Sequence, residues 1–358
     1  MNVAEQIVAQ LVDAGVHRIY GIVGDSLNPI VDAVRKTGGS RKGGIDWIHV
    51  RHEEAAAFAA SAEAQLTGKL AVCAGSCGPG NLHLINGLYD ANRTGAPVLA
   101  IASHIPSVQI GSTYFQETHP DRVFEECSVY NELISSAAQS PRTVNSAIRH
   151  AVGLGGVAVI TLPGDITDLK AVEHVPTYAP ARPATLAPNP ADIDEAAALL
   201  NKADKVAIFA GAGVEGAHDE VIALADALKA PIGHSLRGKH FIQYDNPFDV
   251  GMTGLLGYGA AAEGMNDADV LILLGTDFPY DQFLPDTPTI QVDTHAEKLG
   301  RRTDVGLAIH AQVKPFIEAL LPHLRAGRSD SFLKSKIKKH AEIMHAPVGA
   351  YTRNVEKM

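Results

Sequence analysis

Cysteine is scarce in this sequence: Cys73, Cys77 and Cys127 are the only three among 358 residues, and their spacing matches no zinc site. A disulfide-stapled secreted domain is excluded, and free thiols in a reducing cytoplasm are expected. Basic side chains are also outnumbered, 30 Lys and Arg against 40 Asp and Glu, for a formal net charge of −10. That balance argues against a nucleic-acid partner, which needs a basic footprint. No apolar run approaches the ~18 residues that span a bilayer. The amino terminus lacks a basic region followed by an apolar core, because Glu5 and Asp13 interrupt its apolar residues, so no signal peptide is read. The sixteen histidines form no HExxH or similar signature, and no metal site is expected from them.

What the chain does have is apolar side chains, 46% of its residues, enough to bury two cores at roughly 150 residues per domain. Val3, Ile7, Val8, Leu11 and Val12 share one helical face before Gly15. Apolar runs then alternate with helical patterns: strands at 19–23, 45–50, 70–74, 98–102 and 157–162, and helices at 53–66 and 81–93 between them. Strands that are apolar throughout and alternate with helices imply a parallel sheet covered on both faces. Pro176, Pro180, Pro183, Pro188 and Pro190 then interrupt the pattern with the composition of a stiff linker. The alternation restarts with helices at 191–202, 217–229, 259–266 and 314–324 and strands at 206–210, 231–235, 270–274 and 289–293.

The expected fold is therefore α/β, with two doubly wound parallel-sheet domains. The boundaries are 1–175 for the first domain, 176–190 for the linker, 191–328 for the second and 329–358 for a basic, helical connector.

Three stretches could carry chemistry. Glu53, in Arg51-His52-Glu53-Glu54, sits where an apolar strand gives way to a helix of small residues. That setting desolvates a carboxylate and suits it to sharing a proton. A first-turn acid favoured by the helix dipole is the competing reading, and Glu54 suits that role better. The run Cys73-Ala74-Gly75-Ser76-Cys77-Gly78-Pro79-Gly80-Asn81 is a glycine-rich strand-to-helix turn, able to let backbone approach a flat or anionic ligand or simply to turn the chain. His83 lies just beyond it. Gly211-Ala212-Gly213-Val214-Glu215-Gly216 matches the dinucleotide fingerprint in pattern and placement. The next strand, Pro231 to Ser235, ends without the carboxylate that would grip an NAD ribose, which disfavours NAD and leaves FAD or another nucleotide open. Gly251-Met252-Thr253-Gly254, Gly275-Thr276-Asp277-Phe278-Pro279 and Asp293 lie at further strand ends of the same domain, where one crevice could collect them.

At Arg51-His52-Glu53 and Gly75–Gly80 the sequence resembles the pyrimidine-binding domain of thiamine-diphosphate enzymes. The runs Asn81–Leu88, Tyr114–Pro120 and Tyr244–Gly254 are similar to the flavin-containing pyruvate oxidase group that includes pyruvate dehydrogenase (quinone). The resemblance implies that Glu53 hydrogen-bonds the thiamine aminopyrimidine and that His83, Phe115 and Gln116 lie near the reacting centre. It further implies that Gly211, Gly213, residues 251–254 and 275–279 and Asp293 bind FAD, with pyruvate as substrate and a quinone as electron acceptor. The group's Gly-Asp-Gly motif, which holds magnesium and the diphosphate, does not occur here. The resemblance thus implies a chain that stops before the third domain and is inactive alone. It also implies a homo-oligomeric, cytoplasmic protein whose longer form touches the inner face of the membrane only through the missing part. Phosphate-dependent pyruvate oxidase, acetolactate synthase and a non-catalytic flavin-binding protein are the competing readings.

Overall fold

The computed structural model describes residues 1–173, 179 and 184–355, with side chains to 345. The chain divides into two compact units, Met1–Arg182 and Pro183–Met358. Residues 176–178 and 180–183 of the expected linker fall outside the described residues; 184–189 are irregular and a helix begins at Pro190.

The first unit carries β1 (Arg18–Gly21), β2 (Asp46–His49), β3 (Ala71–Gly75), β4 (Val98–His104), β5 (Tyr130–Leu133) and β6 (Val157–Pro163). They form one sheet in the order β2-β1-β3-β4-β6-β5, every pairing parallel. Successive strand residues point to opposite faces. Val72, Ala74, Leu99, Ile101, Ala158 and Ile160 pack under helices 3–13, 28–36 and 140–154, while Ala71, Cys73, Val98, Ala100, Val157 and Val159 pack under helices 53–67 and 85–94.

The second unit repeats the plan with β7 (Val206–Ala210), β8 (Ile232–His234), β9 (Asp249–Met252), β10 (Tyr258–Gly259), β11 (Val270–Leu274), β12 (Thr289–Asp293) and β13 (Leu307–His310). The order is β10-β9-β8-β7-β11-β12-β13, parallel except for the two-residue β10. Val206, Ile208 and Ala210 face helices 190–202, 218–228 and 313–320; Ala207 and Phe209 face the opposite layer. Both units are thus doubly wound, as the sequence pattern expects.

Three differences have local causes. The expected helix over 81–93 is two helices, Pro79–His83 and Ile85–Thr94, joined at Leu84. The expected strand at 19–23 ends at Gly21, where the crevice turn begins. Strands β5, β10 and β13 lie at or next to sheet edges and are too polar or too short to show as apolar runs. Among the described residues no helix is long and apolar enough to cross a membrane.

Candidate active site and cofactor crevice

In the first sheet the chain order reverses between β1 and β3, since β2 lies outside β1 while β4 continues beyond β3. Ligands of open parallel sheets bind at the carboxyl ends of strands beside such a switch point. Two turns meet there. Ser26 Oγ lies 2.9 Å from Ser76 Oγ and accepts from the Cys77 N–H at 3.0 Å, and Ser103 Oγ donates to the Ser26 carbonyl at 2.7 Å. Gly78, at φ +67°, makes the bend that Pro79 converts into a helix.

Glu53 reaches this turn from β2. His52 is extended and caps the helix, its Nδ1 accepting from the Glu54 N–H at 3.2 Å, which makes Glu53 the first helical residue. The Glu53 carboxylate is 8% exposed, and its Oε2 lies 3.0 Å from His83 Nδ1. The His52 ring stacks on His83 with centroids 4.3 Å apart. What permits the approach is helix packing: a Cβ on Gly87 would sit 2.5 Å from Ala57 Cβ, so only glycine brings helices 53–67 and 85–94 this close. A Cβ on Gly80 would come within 3.2 Å of Glu53 Oε1, so the glycine also keeps carbon away from the carboxylate. Glu54 is the solvent-side acid of the pair and accepts from Asn86 Nδ2 at 2.8 Å.

Gln116 joins the same turn. Its Oε1 lies 3.4 Å from Cys77 Sγ, and its backbone lies 3.2 Å from where a Gly78 Cβ would stand. Phe115 instead projects into solvent, 82% exposed, leaning on Tyr114 at 5.1 Å. The structure therefore gathers Glu53, His83 and Gln116 around one glycine turn and leaves Phe115 on its rim. His52 and Ser26 were not expected here, although Ser26 closely follows the end of the expected strand at 19–23. Burial pushes the Cys73 thiol up to about 12 and the Cys127 thiol up to about 11, so neither supplies a thiolate near neutrality.

The second sheet reverses between β7 and β11. Here the strand ends touch backbone to backbone. The Gly213 N–H donates to the Gly275 carbonyl at 2.9 Å, and the Gly211 N–H donates to that of Leu274 at 2.9 Å. A Cβ on Gly275, at φ +57°, would stand 2.4 Å from Gly213 Cα. The fingerprint's helix starts only at His218, after a 3₁₀ turn over 212–214. Gly251 and Gly254 have φ of +93° and +114°, and Met252, Thr253, Thr276 and Phe278 are buried beside them. Asp277 is held by Arg301 and Arg302, while Pro279 is exposed. Asp293 is buried at the end of β12, its Oδ1 accepting from the His295 N–H at 2.9 Å. All these residues end or follow β7, β9, β11 or β12 along one carboxyl edge.

His234 and Gln291 were not legible in advance. Gln291 donates to the Thr276 carbonyl at 3.1 Å and accepts from the Gly300 N–H at 2.8 Å, fixing the loop after β11. His234 is fully buried at the end of β8, 3.5 Å from Asp249, and burial lowers its pKa. A cavity of about 590 Å³ bounded by Lys205, Asp267, Arg328 and Lys336 lies at the opposite edge of this sheet. Its Arg328 donates to the Leu200 and Ala203 carbonyls at the end of helix 190–202. That is a structural cap, so the crevice is the better candidate.

Comparison with known proteins agrees with this division. Residues 1–123 match the thiamine pyrophosphate enzyme N-terminal TPP binding domain, and residues 193–320 match the central domain of the same enzymes. An uncharacterised 42.6 kDa protein of Pseudomonas amyloderamosa is 54% identical over 93% of this chain and 83% of its own length. A pyruvate oxidase of Lactiplantibacillus plantarum is 32% identical over 90% of the chain and 54% of its own length. The acetolactate synthase isozyme 1 large subunit of Escherichia coli is 30% identical over 90% of the chain and 58% of its own length. The chain thus spans little more than half the length of the two relatives named for an activity. With both domain models matched in order along the same two units, the chain belongs to the thiamine pyrophosphate enzyme family.

Proposed function

We propose that this chain supplies the pyrimidine-binding and flavin-binding parts of a thiamine-diphosphate- and FAD-dependent pyruvate:quinone oxidoreductase. The reaction is oxidative decarboxylation of pyruvate to acetate and carbon dioxide, in a homo-oligomer. The observation that carries the reading is the Glu53 carboxylate, buried at the switch point, fixed through one oxygen by His83 and faced by the bare Cα of Gly80 on the other. Bound thiamine diphosphate supplies an electron sink for decarboxylation, and FAD supplies a two-electron acceptor.

In this reading Glu53 accepts a hydrogen bond from a ring nitrogen through the oxygen that faces the bare Cα of Gly80. His83 keeps that carboxylate from rotating. Gln116 and the 76–80 turn shape the wall next to it. In the second unit Gly211, Gly213 and Gly275 let the ends of β7 and β11 pack backbone to backbone, and Gly251, Gly254, Thr253, Thr276 and Asp293 line the carboxyl edge where a flat, anionic nucleotide would lie. Residues 276–279 would close one side. Magnesium and the diphosphate end of thiamine have no proposed ligands among these residues.

A 32% identical pyruvate oxidase and a 30% identical acetolactate synthase do not choose between oxidation and carboligation. What supports the oxidative, quinone-linked reading is the 107–120 segment, whose Tyr114–Pro120 run carries that resemblance and whose Gln116 adjoins the site. The test is a titration of FAD into the chain, followed by flavin fluorescence and absorbance, then product analysis on a form that turns over pyruvate. Saturable binding of one FAD per chain, with acetate formed as a quinone is reduced, is the expected result. Acetolactate or acetyl phosphate as product would overturn the oxidoreductase assignment, and no FAD binding in any form would overturn the flavin site.

A further inference from the structure

Three donor side chains from two separate segments converge at the edge of the first sheet. His52 and Glu53 open helix 53–67, and His83 closes helix 79–83. One donor atom from each lies within 4.8 Å of the other two. We propose that His52, Glu53 and His83 form a site for a divalent transition-metal ion of the zinc type, distinct in chemistry from any magnesium that accompanies a diphosphate.

The donor set selects the class of ion. Two imidazoles and one carboxylate suit zinc, cobalt, nickel or copper, whereas magnesium and calcium prefer oxygen donors throughout. One distance already fits, and the other two fit once His52 moves. Glu53 Oε2 and His83 Nδ1, 3.0 Å apart, have the separation of two ligands whose bonds meet near a right angle, given metal–ligand distances of about 2.1 Å. No two ligands of one ion can stand farther apart than about 4.2 Å, twice that bond length. Tetrahedral ligands at that bond length stand about 3.4 Å apart, so a pair at the 4.8 Å limit of the trio has to close by about 1.4 Å, and the His52 ring has to leave its stack on His83 for both imidazoles to aim a nitrogen at one ion.

His52 is the side chain free to do so. It is 50% exposed, and its ring is held by one 3.2 Å cap bond and by the stack on His83. Glu53 is the fixed member, 8% exposed and seated by helix packing at Gly87. His83, 45% exposed, leaves the fourth position open to water. Linear motifs could not show this site, because its ligands come from two helices brought together only by the fold.

An ion held there would occupy the carboxylate assigned above to the aminopyrimidine, so metal and thiamine would exclude one another. The metal site itself stands on the three side chains and not on that assignment. The FAD titration reports on the second unit, so either proposal can fail without the other.

The test is calorimetric titration of zinc chloride into the full chain, purified without a polyhistidine tag, with cobalt(II) absorption as a second readout. The expected result is one zinc equivalent per chain, d–d bands of low-coordinate cobalt, and no comparable uptake of magnesium. His52→Ala and His83→Ala, both changes at half-exposed side chains, should each weaken zinc by at least about tenfold while leaving the circular dichroism unchanged. Absence of a zinc equivalent, or an affinity unchanged in both variants, overturns the proposal.

Discussion

The two units use one topology to build two kinds of crevice. Each is a doubly wound parallel sheet with a reversal of strand order, at β1/β3 in the first and β7/β11 in the second. In the first, the turns at the reversal present side chains: Ser26, Glu53, Ser76, His83 and Gln116. In the second, they meet backbone to backbone, with Gly213 and Gly275 in contact where any Cβ would collide. A crevice of side chains can position protons and charges, and one of backbone can lie against a flat or anionic surface. The contrast makes a specific claim about mutation. The first crevice should lose chemistry without losing stability, and the second should lose stability before chemistry can be asked.

Gly275→Ala puts that claim under the greatest stress. The new Cβ would lie 2.4 Å from Gly213 Cα, a backbone atom that cannot move aside, at a φ of +57°. Strain and overpacking together should cost about 3 kcal/mol or more. Hydrogen exchange should show the loss in the slowest amides of β7 and β11, with the first sheet unchanged. A loss spread equally over both sheets would erase the distinction between the units.

Glu53→Gln probes the other half. The substitution keeps the shape and retains an oxygen for His83, so stability should move by less than about 1 kcal/mol. Turnover in a form that decarboxylates pyruvate should fall by about a hundredfold or more, because an amide cannot share the proton a carboxylate shares. FAD content should stay the same. Near-normal turnover would reduce Glu53 to the first-turn acid that its position also allows.

How far the sequence reached depends on what each feature requires. Val206–Ala210, Val270–Leu274 and Thr289–Asp293 are bounded as the apolar runs imply, because central parallel strands are buried on both faces and polar or glycine residues stop them. Tyr130–Leu133 and Leu307–His310 escaped because an outer strand carries polar side chains, and in β13 burial alternates with exposure. Glu53 and the glycine turns were legible as residues at strand ends. The Glu53–His83 contact was not, since it depends on the close approach at Gly87 and Ala57, and neither residue signals that partner in sequence. In the same way Gly211 and Gly213 read as a nucleotide fingerprint, while their packing on Gly275 emerges only from β11 lying beside β7.

The smallest effect expected is also the one that treats the units alike. Each sheet ends a strand in a buried histidine, His104 on β4 and His234 on β8, 3% and 0% exposed. Burial lowers the pKa of both, so each is neutral in the folded chain to a lower pH than in the unfolded one. An unfolded histidine takes up its proton near pH 6.5. Below that the unfolded state binds more protons, so stability falls as pH drops through about 6.5 and stops falling only beneath the depressed folded value. The slope cannot exceed about 1.4 kcal/mol per pH unit for each histidine. His104→Gln should flatten the acid slope of hydrogen-exchange stability in the first sheet only, and His234→Gln in the second only. The Asp249 carboxylate 3.5 Å from His234 opposes the effect of burial there, and Glu117 and Asp121 act in the same sense on His104, with His119 against them. If either variant flattened both slopes, the units would be titrating as one cooperative body, and the division between a side-chain crevice and a backbone crevice would no longer be a division in stability.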